Sequence, residues 1–199
     1  MVEGDGDVTA APLLARRVLH ENSIYDWDFP RPHKRRDIAH LCGGNWNNFK
    51  RYLAAAFYEE LPIFWLLDCD DTCALVQLQK FYEQIQPSDV RQPLAFGFWV
   101  KEYECLFLAD LDTTGNKLGI TKFRDVPDDL ESKRGIKEWL SAQMARGRSY
   151  KETIDQEKLT SSVNLNNLRQ RSRSFRHFEK ALLWLVRQET ATLYPSDFR

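Results

Sequence analysis

Two apolar runs, residues 62–67 and 93–100, are continuous rather than alternating in hydropathy. That pattern suits strands buried on both faces, as in a parallel sheet covered by helices. Carboxylates follow each run: Asp68-Cys69-Asp70-Asp71 after the first, Glu102 and Glu104 after the second. A third acidic stretch, Glu3-Gly4-Asp5-Gly6-Asp7, follows Val2, which reads as the end of a short first strand. Ligands of open α/β sheets gather at the carboxyl ends of the strands. If the three strands are neighbours, their acids therefore meet at one edge.

The remaining pattern is helical. Helices are expected near 10–21, with Pro12 in the first turn, near 45–60, and from Asp71 or Thr72 to about 86. The segment 22–36, ending in PRPHKRR, reads as a loop with a basic tip. A short helix is expected over 105–111 and a loop over 112–130. Further helices are expected near 131–145, 151–160, 164–171 and 173–190, the last capped by Ser172 or Ser174. Strand, helix, strand, helix points to an α/β sheet flanked by helices. The organisation expected is a core over 1–112 with a helical, basic extension, 113–199, packed on it.

The acids carry the chemistry. Like charges about 4 Å apart repel by about 4 kcal/mol at an effective dielectric of 20. A cluster of them binds cations or raises its own pKa values. Mg²⁺ suits oxygen ligands and keeps waters for a substrate phosphate. Candidate ligands are Glu3, Asp68, Asp70 and Glu102 or Glu104, and one carboxylate freed from the metal could move a proton. The bland alternative is that Asp71 only caps a helix and the first acidic stretch is only a loop.

Charge is uneven although the net value is -1. Residues 133–187 hold 13 Lys+Arg against 5 Asp+Glu, and residues 1–132 hold 14 against 22. An acidic part that can hold metal is thus joined to a basic part that can hold phosphates, unless both are solvated helix faces. In the basic part Arg169, Arg171, Arg173 and Arg176 are candidates for a nucleic-acid backbone. Cys42, Cys69, Cys73 and Cys105 lack zinc-site spacing and read as structural thiols. The four histidines are scattered and read as surface or loop residues. Neither a GxxxxGK[ST] loop nor a GxSxG elbow is present. No apolar run approaches the roughly 20 residues of a membrane span. No membrane association is expected, no secretory signal is recognisable, and the cytoplasm is the expected location.

Several blocks in order resemble the Toprim-like family catalogued as domain of unknown function 4276. They are VEGDGDVTAAPLLARRVL, FWLLDCDDTCALVQL, WVKEYECLFLADL, SYKETIDQEKLTSSV and RSRSFRHFEKAL. The resemblance implies a small Toprim, Rossmann-like, mostly parallel sheet. Glu3 with Asp7 matches the group's first motif, and Asp68 with Asp70 its DxD motif. Resemblance to Toprim nucleases further implies a two-metal centre using Mg²⁺ or Mn²⁺. A further acid, Glu102 or Glu104, and a catalytic lysine, Lys133 or Lys137, would complete it. Where the family has a full first strand, this chain offers Met1 and Val2, so that strand is truncated or starts upstream. The function implied is a metal-dependent nuclease, possible as the effector of a bacterial phage-defence system. The alternatives are a partner subunit of a separate ATPase, inactive or active only in the pair, and a nucleic-acid-binding module.

Overall fold

The computed structural model describes residues 1–35, 37–69 and 72–195. In chain order the elements are α1 (Asp7–Glu21), α2 (Ile38–Cys42), α3 (Asn47–Phe57), β1 (Ile63–Asp68), α4 (Ala74–Glu83) and β2 (Leu94–Trp99). There follow α5 (Cys105–Leu108), α6 (Leu111–Leu118), α7 (Ile136–Gln143), a π-helical turn (Glu152–Gln156), α8 (Glu157–Thr160), α9 (Leu165–Arg171) and α10 (Arg173–Leu185). The chain is α/β, with helices dominating its second half. Among the described residues no helix is long and apolar enough to cross a membrane.

β1 and β2 pair in parallel, in register from Ile63 opposite Leu94 to Asp68 opposite Trp99. Short extended segments continue the layer on both sides. The Met1 α-ammonium donates to the Phe64 carbonyl at 2.8 Å, and Leu66 N–H donates to the Met1 carbonyl at 3.0 Å. Beyond them, Val2 bridges Lys34 in parallel. At the far edge Leu94 bridges Leu193. The first segment and the two apolar runs are therefore neighbours, and their carboxyl ends lie together.

Both faces of the layer are covered, which is why the apolar runs do not alternate. Ile63, Trp65, Leu67, Phe96 and Phe98 pack with Phe49 and Leu53 of α3 and Leu78 and Phe81 of α4. On the other face, Leu66 and Trp99 join Leu14 and Val18 of α1 and Phe175 and Phe178 of α10. Asp68 shares the parity of Phe64 and Leu66, the face covered by α1 and α10. The helical second half is built into this core, because Leu159, Leu165 and Leu168 belong to the same cluster as α1.

Several element boundaries depart from sequence expectation, each for a local reason. α1 starts at Asp7 because the Gly6 carbonyl already accepts from Thr9 and Ala10. Pro12 therefore sits in the second turn, where it costs a backbone hydrogen bond. The helix expected over 45–60 is α3, which starts only after Gly44, Asn45 and Trp46, all at positive φ, with the short α2 preceding that turn. The stretch expected as one helix, 105–111, breaks at Asp110, whose side chain accepts from Thr113 N–H and starts α6 inside the expected loop. α7 begins only at Ile136, after Gly135 at φ 68°. Upstream, the Glu131 side chain instead accepts from Ser172 Oγ and Ser174 N–H at the start of α10. Ser172 caps α10 by accepting from Phe175 N–H at 3.0 Å.

Candidate active site

The loop between Val2 and α1 passes over the end of β1. There the Glu3 carboxylate accepts from the Asp68 backbone N–H at 3.2 Å. Two acids 65 residues apart in the chain thus share one corner, Glu3 half-exposed above the strand end. Asp7, on the first residue of α1, is 6% exposed. Its carboxylate accepts from Gly4 N–H at 2.9 Å and from the Gln156 side chain at 2.6 Å. Glu104, just before α5, is 1% exposed and accepts from the Tyr150 hydroxyl at 3.2 Å.

These carboxylates act on one another. Burial, followed by the charges of Asp7, Glu3 and Glu104, drives the Asp68 carboxyl well above its ordinary range. Asp68 Oδ1 is enclosed and has no hydrogen-bond partner in the described structure. Such an acceptor calls for a proton or a cation. Burial also raises Asp7, and it pushes Glu104 up to about 7.

One lysine faces the cluster. Lys137 of α7 reaches Glu152 at 2.5 Å and Glu104 at 3.8 Å. Burial pulls its ammonium down, but Glu104 and Glu152 outweigh this and hold it above its ordinary value, so it stays charged. Lys133 lies elsewhere: its ammonium sits 5.2 Å from the centre of the Trp139 ring. The lysine beside the acids is Lys137.

Glu102 also has a separate task. Its two oxygens accept from Gly135 N–H at 2.7 Å and Ile136 N–H at 3.1 Å, closing the start of α7. Of the two alternatives, Glu104 is the acid that interacts with Asp68. Asp70, and Asp71 with it, lies outside the described residues.

The sequence did not single out Glu152 or Gln156. Glu152 accepts from Gly6 N–H at 3.3 Å and pairs with Lys137, while Gln156 donates to Asp7. Both lie on the π-helical turn, a form often found at functional sites. Gly6 is essential to this clasp. A Cβ there would stand 1.9 Å from Gln156 Oε1 and 2.9 Å from the Glu152 carbonyl. A polar pair in the family-like block SYKETIDQEKLTSSV was the available signal, but nothing in its spacing linked it to residues 3–7.

Three of the tail arginines are engaged within the protein. Arg169 pairs with Glu21 and Glu179, both at 2.7 Å. Arg171 donates to the Ala109 carbonyl at 3.1 Å, and Arg176 to the Arg169 carbonyl at 2.6 Å. Arg173 is exposed; the Cys73 thiol is held below its ordinary value first by the backbone N–H groups of Val76 and Leu75, with Arg173 adding a smaller effect. Cys69 and Cys105 are buried and Cys42 is half-buried, as structural thiols should be, whereas Cys73 is exposed.

The donor set tests the fit to a metal. Every candidate is a carboxylate oxygen, the type that Mg²⁺ and Mn²⁺ prefer. Among the described residues no three carboxylate, histidine or cysteine groups come close enough together to hold an ion by themselves. Mg²⁺ needs fewer, since it is commonly held by one or two carboxylates plus water and substrate phosphate. Glu3 and the unpartnered oxygen of Asp68 are two carboxylates of that type at one strand end.

Residues 2–183 match the family described as Domain of unknown function (DUF4276). The chain belongs to that family. The DUF4276 match includes every residue of the acidic corner, from Glu3 to Gln156. No curated protein and no solved structure matches the chain.

Proposed function

We propose that this DUF4276 protein is a Toprim-type, Mg²⁺- or Mn²⁺-dependent nuclease or related phosphodiester-processing enzyme. One observation carries the reading. Asp68 has an enclosed side-chain oxygen without a partner, and Glu3, Asp7 and Glu104, from distant parts of the chain, lie near enough to act on its charge, with Lys137 3.8 Å from Glu104. Glu3 and Asp68 would hold the ion, and it would supply charge neutralisation at the phosphodiester oxygens. Glu104 is too enclosed to touch substrate and acts through Lys137, keeping its ammonium at the edge of the acids. Lys137, 39% exposed, places a fixed positive charge where a phosphoryl group would enter. Glu3 reaches both solvent and Asp68, which suits its carboxylate to the acid/base role as the alternative to ligation.

Cleavage of supercoiled plasmid and single-stranded DNA, in Mg²⁺ or Mn²⁺ and in EDTA, tests the reading. Wild type cleaves only with the metal, and Asp68→Ala and Glu3→Gln fall to background. Equal cleavage by wild type and Asp68→Ala would overturn it. Should wild type cut only after a separate ATPase is added, the chain is the effector half of a two-component system, as in phage defence, and the site assignment stands.

A further inference from the structure

An acidic corner repels phosphate even when it holds a cation, so a nucleic acid needs positive charge next to it. Three of the four tail arginines are poorly placed to supply that charge, because Arg169, Arg171 and Arg176 are engaged with carboxylates and carbonyls of the protein itself. The stretch 133–151 is different. It holds six Lys and Arg residues against the single acid Glu138. Arg146, Arg148 and Lys151 are all exposed, and among the described residues they form no ion pair.

This segment is anchored to the acidic corner. Tyr150 is buried, donates its N–H to Ser141 Oγ at 3.0 Å and its hydroxyl to Glu104 at 3.2 Å. Two residues on, Glu152 accepts from Gly6 and holds Lys137. At the other end Arg148 N–H donates to the Ala145 carbonyl at 3.0 Å, closing a turn through Gly147 at φ 84°. Arg148 is therefore at most about 7 Å of chain from a side chain that touches Glu104. Arg146, Arg148 and Lys151 thus follow in the chain on either side of a residue anchored to the corner, and among the described residues none of their side chains is in an ion pair.

We propose that Arg146, Arg148 and Lys151 form the surface that receives the phosphate backbone of a nucleic-acid strand and leads it to the Asp68 corner. This rests on the nuclease reading for the identity of the ligand. Contacts of this kind set affinity and register without reading bases.

The test is binding of a fluorescein-labelled single-stranded DNA, and of its duplex, followed by anisotropy in EDTA across a range of salt. Arg146→Ala/Arg148→Ala/Lys151→Ala should weaken single-strand binding about tenfold at low salt. Loss of three phosphate contacts should also flatten the log K against log salt slope by about 2. Thermal unfolding like that of wild type establishes that the triple variant is folded, and the triple Glu variant should abolish binding. A triple variant with wild-type affinity and slope, or wild type that binds neither probe at low salt, overturns the inference. Binding that depends on this segment in a protein that never cleaves overturns the nuclease reading alone. Cleavage with binding indifferent to the segment overturns this inference alone.

Discussion

Burial raises the Asp68 and Glu104 carboxyls above their ordinary range, and this has a measurable consequence without any substrate. Folding raises Glu104 from 4.5 to about 7, so the folded state holds its proton more tightly than the unfolded chain does. That stability is complete below about pH 4.5 and is lost as pH rises toward about 7. A shift of this size corresponds to about 3 kcal/mol. In EDTA, Glu104→Gln should therefore flatten the pH dependence of the thermal midpoint across that interval and raise the midpoint at neutral pH. An unchanged slope would mean that another group dominates. Gly6→Ala tests the clasp, because its Cβ would collide with Gln156 Oε1. The expected cost is about 1–3 kcal/mol in unfolding free energy, with loss of metal-dependent cleavage. A variant with native stability would show that the loop and the π-helical turn separate without penalty. Glu3, Asp7 and Asp68 could be picked out from sequence because each follows an apolar segment. Glu152 and Gln156 could not, since only the fold brings residue 6 against residue 156.

At the level of elements, β1 and β2 were legible almost to the residue, since burial on both faces leaves a continuous apolar signature. The helix starts were less so, because they depend on side chains that arrive from elsewhere. Asp110 breaks one expected helix to cap α6, and Glu131 leaves the region before α7 to serve α10. The same logic separates two neighbouring acids. Glu102 closes the start of α7 with both oxygens, whereas Glu104 turns inward to Tyr150 and Lys137. Glu102→Ala should lower unfolding free energy by about 1–2 kcal/mol through loss of that cap. It should leave the stabilisation by Mn²⁺ unchanged. Loss of the Mn²⁺ response in Glu102→Ala would place that residue among the ligands instead.

For the whole molecule, the acidic first part and basic second part are not separate bodies. α8, α9 and α10 share a core with α1, and the π-helical turn closes over the acidic loop. A cation bound at the corner should therefore stabilise the entire fold. At a hundred times its dissociation constant a ligand adds about 2.7 kcal/mol, which for a domain of this size is roughly 5–10 °C in midpoint. Mn²⁺ should produce such a shift in wild type and none in Asp68→Asn; equal shifts in both would move the site away from this corner. The decisive measurement is the anomalous difference map of a crystal soaked in Mn²⁺. The account predicts a peak about 2.1 Å from Asp68 Oδ1 and from a Glu3 carboxylate oxygen. Saturating Mn²⁺ that gives no peak within coordination distance of either residue would contradict it.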